Sequence, residues 1–139
     1  MITVADWMTD CVFTLQPSDN LGDVREMMKL VKIRHAPVTD DAGNFVGLIS
    51  NRDLLACTIS RLAEIDDDVQ SEIDRAILVT DVMQTNVVCV KPQTPLHEAA
   101  QVLYERKLGC LPVLDGRKLI GILTEADFIR LAISLLPKD

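Results

Sequence analysis

The sequence predicts a mixed α/β (α+β) fold in which two β-α-β-β-α repeats pack as a pseudo-twofold pair. Three observations carry this prediction: the chain repeats itself once, each repeat alternates extended and helical patterns, and the composition is that of a globular protein. The chain has 139 residues, of which 48% are hydrophobic and 25% are charged. Such a chain can bury a core without a metal or a disulfide.

A nearly constant offset aligns the first half of the chain with the second half. The offset is 75 residues as far as the turn of the hairpin and 74 beyond it, because one residue is lost in that turn. We therefore place repeat 1 at residues 4–63 and repeat 2 at residues 79–137. The aligned identities include Val4/Val79, Asp6/Asp81, Met8/Met83, Pro37/Pro112, Val38/Val113, Gly47/Gly121 and Asp53/Asp127.

Each repeat opens with a short extended run that a proline ends, at residues 12–15 and 87–90. An amphipathic helix follows in both repeats, with apolar residues at helical spacing. We expect Asp19 and Thr94 at the N-cap positions of these helices, with Pro95 in the first helical turn.

A β-hairpin is predicted after the first helix of each repeat. Its strands are residues 35–40 with 45–50 in repeat 1, and residues 110–115 with 118–124 in repeat 2. The turn Asp115-Gly116 is a strong hairpin signal. A second helix is predicted to begin after Ser50 or Thr124.

Residues 64–78 are predicted to form an acidic amphipathic linker helix that continues the second helix of repeat 1 toward residue 77. Six acidic residues lie between residues 64 and 74 without a Lys or Arg, in a chain of net charge −7. The simplest interpretation is a solvated helix face, and the alternative is a surface for docking a partner. The apolar positions are Leu62, Ile65, Val69, Ile73 and Ile77.

Charge and hydropathy exclude several classes of partner. No basic face is present, so we expect no nucleic-acid partner. No apolar run approaches the roughly 18 residues of a membrane span, so we expect no membrane partner. Residues 1–8 lack the basic start of a signal peptide, which favours a cytoplasmic location.

The four cysteines predict neither a metal site nor a disulfide framework, because no pair has the CxxC spacing. We interpret them as small buried hydrophobes, with a redox role for Cys57 or Cys110 as the alternative. No nucleophile and base stand in a readable motif, so no catalytic residue is predicted and the protein is not expected to be an enzyme.

The pattern Gly-x-x-[Ser/Thr]-x-x-Asp occurs once in each repeat, from Gly47 to Asp53 and from Gly121 to Asp127. A hydroxyl three residues before an acid is typical of a capping box, which would be a purely structural role. The same geometry suits a nucleoside phosphate, because a helix N-terminus and a hydroxyl attract phosphate and a carboxylate accepts from ribose hydroxyls. Its occurrence at equivalent points of a duplicated unit favours the functional interpretation.

The order of these motifs resembles a tandem pair of CBS domains, the regulatory module named after cystathionine β-synthase, over essentially the whole chain. The resemblance rests on the two Val-x-Asp-x-Met openings, the two Pro-Val pairs and the two Gly-x-x-[Ser/Thr]-x-x-Asp segments. It implies an adenosine ligand (AMP, ADP, ATP or S-adenosylmethionine) in a cleft between the repeats, with or without Mg²⁺. It also implies a homodimer.

The resemblance assigns roles to particular residues. Asp53 and Asp127 would hold ribose, while Ser50 and Thr124 would help to hold phosphate. The residues that would line the adenine pocket are Thr14, His35, Ala36 and Pro37 in repeat 1, and Cys89, Cys110, Leu111 and Pro112 in repeat 2.

The repeats differ in positive charge near these positions. Repeat 1 has Arg34, His35 and Arg52 where repeat 2 has Gly109, Cys110 and Ala126. We expect two unequal half-sites, with any phosphate tail directed toward Arg34 and Arg52. The alternative is that both arginines only face solvent.

Two function hypotheses follow. The first is a sensor that binds an adenosine nucleotide and passes a conformational change to an effector protein. The second is a structural or interaction dimer module without a small-molecule ligand.

Overall fold

The computed structural model describes residues 1–10, 12–57 and 67–139, and its class is mixed α/β as predicted. Short helices and two β-hairpins alternate along the chain. The helices are α1 (Val4–Trp7), α2 (Leu21–Val31), α3 (Asn51–Ala56), α4 (Asp67–Ala76), α5 (Val79–Val82), α6 (Leu96–Arg106) and α7 (Glu125–Leu135). The strands are β1 (His35–Thr39), β2 (Phe45–Ser50), β3 (Cys110–Asp115) and β4 (Lys118–Thr124).

Each hairpin is a two-stranded antiparallel sheet, β1 with β2 and β3 with β4. At the open end of the first hairpin His35 pairs with Ser50, and at the open end of the second hairpin Cys110 pairs with Thr124. The turn of the second hairpin holds Gly116 at φ +65°, a left-handed conformation that glycine adopts without steric cost. The prediction of both hairpins is therefore confirmed, with β1 one residue shorter than expected.

The predicted first strand of each repeat is not a strand. Residues 12–15 and 87–90 each make one parallel bridge, from Leu15 to Val38 and from Val90 to Val113. Pro17 and Pro92 follow two residues after these bridges. A proline has no N–H to donate, so the ladder does not extend further.

The predicted helix caps are wrong by one residue. Asn20 caps α2, with its side chain accepting from Asp23 N at 3.0 Å, and Pro95 is the N-cap of α6. Asp19 instead accepts from Gln16 N at 2.7 Å, and the Thr94 hydroxyl accepts from Lys91 N at 3.2 Å. Both side chains close a turn before the helix rather than the helix end itself.

The chain divides into two compact units, and their boundaries differ from those of the sequence repeats. The hairpin-1 unit is Phe13–Val87, and the hairpin-2 unit combines Met1–Val12 with Val88–Asp139. We call residues 1–12 and 79–87 the opening segments of the two repeats, and each of them belongs to the unit that holds the other repeat's hairpin. Thr9 bridges Ile122 of β4 and Gln84 bridges Leu48 of β2, which shows the same exchange at the level of hydrogen bonds.

A separate apolar core forms in each unit. In the hairpin-1 unit the opening segment supplies Val79, which is fully buried beside Leu21 and Ile49. In the hairpin-2 unit the opening segment supplies Val4, fully buried beside Leu111. The exchanged segments are therefore core elements of the units that receive them.

Within the predicted acidic linker helix the structure has α4, whereas residues 58–66, with Leu62 and Ile65, lie outside the described ranges. The prediction of a solvated acidic face is wrong at Asp74, which is 3% exposed. Asp74 forms an ion pair with Arg25 Nε of α2 at 2.8 Å and accepts from Gln70 at 2.9 Å. The ion pair with Arg25 and the hydrogen bond from the Gln70 amide thus stabilise a carboxylate that would otherwise be costly to bury.

Candidate functional site

Each hairpin has one face in the core of its own unit and one face turned away from that core. Side chains alternate between the faces along a strand. In the first hairpin Ala36, Val38 and Ile49 belong to the core cluster, so His35, Pro37 and Ser50 lie on the opposite face. In the second hairpin the same alternation places Cys110, Pro112 and Thr124 opposite the core.

The residue before each parallel bridge joins this opposite face. Leu15 pairs with Val38 on the core side, so the neighbouring Thr14 shares the face of His35 and Pro37. Val90 pairs with Val113 in the same way, which puts Cys89 on the face of Cys110. The structure therefore brings together most of the predicted pocket residues of each repeat.

Ala36 and Leu111 do not join these faces. Both side chains are fully buried in the cores of their units. Only their backbone atoms lie beside the predicted pocket residues. The sequence pattern grouped them with their neighbours because it does not separate the two faces of a strand.

Asp53, the third residue of α3, forms a capping box with Ser50. Its Oδ2 accepts from Ser50 N at 2.7 Å and from Ser50 Oγ at 2.9 Å, while Asp53 N donates to Ser50 Oγ at 3.2 Å. Its Oδ1 accepts from Gln84 Nε2 at 3.0 Å. Asp53 is half-buried and Gln84 is exposed, so this carboxylate lies at the surface of the hairpin-1 unit.

Asp127, the third residue of α7, forms the equivalent box with Thr124. Its Oδ2 accepts from Thr124 N at 2.8 Å and from Thr124 Oγ1 at 3.4 Å. Its Oδ1 accepts from Arg130 at 2.8 Å and from Thr9 Oγ1 at 3.1 Å. Asp127 is only 4% exposed, so the two carboxylates differ in access as well as in partners.

Three residues of these carboxylate sites were missed by the sequence analysis. Gln84 and Thr9 occupy equivalent positions, because each follows the methionine of a Val-x-Asp-x-Met opening. A hydrogen-bonding side chain at that position in both copies was the available signal. Arg130 has no such signal, since Ala56 stands at its equivalent position in repeat 1.

The glycine of each motif makes room for the methionine of an opening segment. A Cβ on Gly47 would lie 2.5 Å from Met83 Sδ, and one on Gly121 would lie 2.6 Å from Met8 Sδ. Both distances are far below van der Waals contact. The two motifs of the sequence are therefore in direct contact within each unit, and this contact brings Gln84 and Thr9 to the carboxylates.

Arg34 and Arg52 are both exposed, one before β1 and the other in the first turn of α3. Asn51 N donates to the carbonyl of Arg34 at 2.8 Å, which brings the two arginine-bearing segments together. The ion pairs within residues 1–10, 12–57 and 67–139 use Arg25 and Arg130 and leave Arg34 and Arg52 without an acidic partner.

The cysteine pair of repeat 2 lies in an apolar environment. Burial raises the pKa of Cys110 to about 12, with a smaller contribution from the neighbouring Cys89 thiol. Burial also raises the pKa of Cys89. Both thiols are therefore protonated at neutral pH, when they are poor nucleophiles.

Within the described part of the chain, no three His, Cys, Asp or Glu side chains cluster as metal ligands would. A polar cavity of about 340 Å³ lies between α2 and α4, and its lining includes Arg25, Lys29 and Asp74 but none of the predicted site residues. Among the residues described, none of the helices has the length and apolar character that spanning a membrane requires.

The fold and the sites together define a duplicated α/β module with one hydroxyl–carboxylate site at the strand-to-helix junction of each repeat. The CBS domain profile matches residues 4–59 and 79–134. The chain therefore belongs to the CBS domain family and carries two copies of the domain.

Three relatives illustrate the likeness. A CBS domain-containing protein of Dictyostelium discoideum is 31% identical over 136 residues, covering 97% of this chain and 94% of its own length. A Vibrio cholerae protein named for acetoin utilization (AcuB) superimposes with a TM-score of 0.83 at 36% identity, covering 97% of this chain and 93% of its own. CBSX2 of Arabidopsis thaliana, solved in complex with AMP, superimposes with a TM-score of 0.81 at 34% identity over 97% and 98% of the two chains.

Proposed function

We propose that the protein is a regulatory module that binds an adenosine nucleotide at the hydroxyl–carboxylate sites of its CBS repeats. The observation that carries this proposal is the AMP complex of CBSX2, whose solved structure aligns with 97% of this chain at 34% identity. The half-buried Asp53 supports it, because a carboxylate beside a hydroxyl can accept hydrogen bonds from the two ribose hydroxyls.

In this proposal the ribose binds Asp53, and Ser50 with Arg34 and Arg52 receives the phosphate. Thr14, His35 and Pro37 contact the base in repeat 1, as Cys89, Cys110 and Pro112 would in repeat 2. Asp127 and Thr124 hold the equivalent positions of repeat 2. The strand pairing supports these roles, because His35, Pro37 and Ser50 share one face of the first hairpin. In the second hairpin Cys110, Pro112 and Thr124 share the equivalent face.

Regulation would proceed by a shift in conformational populations. The nucleotide stabilises whichever state of the module it binds more tightly, and the shift cannot exceed that difference in affinity. An effector protein then binds one of these conformational states in preference to the other. No catalytic step is part of the proposal, since regulation by binding requires only differential affinity, and the nucleotide acts with or without Mg²⁺.

We propose that the module is a homodimer. The apolar side chains of Ile129 and Ile133 are 62% and 71% exposed and lie one turn apart on α7, and Leu136, the C-cap of this helix, is 67% exposed. An exposed apolar stripe of this kind is typical of a protein interface. Light scattering of Ile133→Asp should give the monomer mass if this stripe is the interface, and an unchanged dimer would exclude it.

We propose a cytoplasmic location. The support is that Cys57 and Cys110 are free thiols, which persist in a reducing compartment. Fractionation of cells that produce the protein tests this proposal, and recovery of the protein in an organelle would contradict it.

A nucleotide panel tests the proposed function. Thermal unfolding is followed with AMP, ADP, ATP and S-adenosylmethionine, each with and without Mg²⁺. Ligand at 100 times its Kd should stabilise the wild type by about 2.7 kcal/mol, which is several degrees in Tm. We expect Asp53→Ala to abolish that shift.

Asp6→Ala is the matched control for this experiment. Asp6 forms the same kind of capping box with Thr3, whose N donates to Asp6 Oδ2 at 2.8 Å, but it lies outside both sites. Both variants should lose up to about 2 kcal/mol from the lost cap, whereas only Asp53→Ala should lose the ligand shift. A well-folded wild type without a shift for any nucleotide would contradict the proposal.

The second candidate function is a structural or interaction module without a small-molecule ligand. It is favoured by one specific observation, namely that both aspartates already complete capping boxes. In that case the two motifs would only begin helices, and the nucleotide panel would be uniformly negative.

A further inference from the structure

The two hydroxyl–carboxylate sites have the same hydrogen-bond pattern except for one residue. In both, the backbone N–H and hydroxyl of the cap donate to Oδ2, and a side chain from an opening segment donates to Oδ1. The added residue is Arg130, one turn beyond Asp127 on α7. Ala56 at the equivalent position of repeat 1 leaves Asp53 without such a neighbour.

Arg130 is held in place by three contacts within the hairpin-2 unit. Its guanidinium donates to Asp127 Oδ1 at 2.8 Å and to the Trp7 carbonyl at 3.1 Å. It also lies 5.4 Å from the centroid of the Trp7 ring, within the range of a cation–π interaction. The exchanged opening segment therefore fixes the arginine against the carboxylate.

The two carboxylates differ in their remaining capacity to accept hydrogen bonds. A carboxylate offers about four acceptor positions. Asp127 uses four, for two donors from Thr124 and one each from Arg130 and Thr9. Asp53 accepts three hydrogen bonds from the described residues.

A ribose diol approaching Asp127 would have to displace a charged donor. Charge-assisted hydrogen bonds are roughly twice as strong as neutral ones, so a neutral hydroxyl is a poor competitor for Arg130. At Asp53 the diol meets a vacant acceptor position and the neutral amide of Gln84, which is exposed and can turn away.

We propose that Arg130 is an internal competitor that closes the Asp127 site, so that each chain takes one nucleotide, at Asp53, rather than two. This inference rests on the proposed function, since it concerns how many of the same sites are filled. It assigns Arg130 as the residue that determines the stoichiometry.

Isothermal titration of the full chain with AMP tests the proposal. Wild type should bind one AMP per chain and Arg130→Ala should bind two, because this change gives repeat 2 the residue present in repeat 1. The double variant Arg130→Ala/Asp127→Ala should return to one. Arg117→Ala, which removes an exposed arginine from a hairpin turn of the same unit, should remain at one.

A reverse variant covers the case in which Arg130→Ala does not fold. Ala56 is exposed, so Ala56→Arg places the competitor beside Asp53 without disturbing a core. We expect this variant to weaken AMP binding at least tenfold, whereas Ala56→Gln should leave the affinity within twofold.

The possible results separate this inference from the proposed function. Two AMP per wild-type chain, or one AMP per chain in folded Arg130→Ala, would overturn the role of Arg130 while the nucleotide function stands. Loss of all binding in Arg130→Ala would also overturn it and would make Arg130 a ligand contact. Absence of AMP binding in every variant, wild type included, would overturn the proposed function itself.

Discussion

At the scale of single residues, the surroundings of a carboxylate decide what it can still bind. Asp53 and Asp127 stand at equivalent positions of the two repeats and cap equivalent helices. One is half-buried beside a neutral amide, and the other is buried beside a guanidinium. The same motif therefore offers an open acceptor in repeat 1 and a saturated one in repeat 2.

The exposed arginines of repeat 1 lead to a prediction about phosphate chain length. Arg34→Ala/Arg52→Ala should weaken binding of ATP more than binding of AMP, because a longer phosphate chain gains more from two cations. We expect a loss of about tenfold for ATP at low salt, measured by titration calorimetry. Lys29→Ala/Lys32→Ala is the control for a general loss of positive charge, and equal ATP affinity in the arginine variant would contradict the prediction.

The buried thiol of Cys110 leads to a prediction about alkaline pH. Its pKa is raised from 9.0 to about 12 in the folded protein, so above pH 9 the unfolded chain loses this proton and the folded chain keeps it. Stability should be fully present below about pH 9 and should fall as the pH rises toward 12. Urea unfolding of wild type and Cys110→Ala measures the effect as a difference.

Other groups titrate over the same pH range in both proteins, so only this difference is informative. Cys110→Ala should be less stable than wild type at pH 7 because a buried side chain is truncated. The difference in unfolding free energy between wild type and Cys110→Ala should become smaller as the pH rises. A constant gap from pH 8 to pH 11 would show that the thiol does not titrate abnormally.

At the scale of elements, the contact of α2 with α4 depends on one ion pair. Arg25 Nε lies 2.8 Å from Asp74, and another guanidinium nitrogen donates to the Leu54 carbonyl at 2.9 Å. Arg25 thus joins α2 to both α3 and α4.

Removing Arg25 should be costly because it leaves the Asp74 carboxylate buried without its charge partner. We expect Arg25→Met to lower the free energy of unfolding by about 2–4 kcal/mol, measured by urea denaturation. The double variant Arg25→Met/Asp74→Leu should recover part of this loss. Lys29→Met, on an exposed position of the same helix, should change stability by less than about 0.5 kcal/mol, and a similar loss there would contradict the prediction.

The hairpins were predictable from the sequence because their signals are local. A turn such as Asp115-Gly116 and alternating apolar residues are encoded within a few positions, and β3 and β4 have the predicted bounds. The N-caps at Asn20 and Pro95 were missed because the preceding residues, Asp19 and Thr94, are also good capping residues. In the structure these two side chains accept hydrogen bonds in the turn before each helix. Arg130 and Asp127 are only three residues apart, so their ion pair was within reach of the sequence. The contact of Arg130 with Trp7 was not predictable, because these two residues are distant in sequence.

At the scale of the whole molecule, the exchange of opening segments means that a sequence repeat is not a folding unit. The hairpin-1 unit needs residues 79–87 from repeat 2, and the hairpin-2 unit needs residues 1–12 from repeat 1. Val4 and Val79 stand at equivalent positions of the two sequence repeats. Nothing in the local sequence indicates that each packs with the other repeat's hairpin.

Two fragments of similar length test this exchange. Fragment 13–87 contains the complete hairpin-1 unit, including the buried Val79 and the Gln84 contact to β2. Fragment 1–63 contains repeat 1 without them. We expect 13–87 to show more helical circular dichroism and a sharper thermal transition. Equal structure and stability of the two fragments would contradict the prediction.

The exchange also has a consequence for biosynthesis. The hairpin-1 unit is continuous in sequence, so all of its residues are available once residue 87 has left the ribosome. Segment 1–12 must wait for β4, some 110 residues later, which is roughly 5–20 s at ordinary translation rates. During that interval Val4 and Trp7 have none of their native neighbours from residues 88–139. Segment 1–12 is thus packed long after it is made, and a nascent-chain chaperone has a long opportunity to bind there.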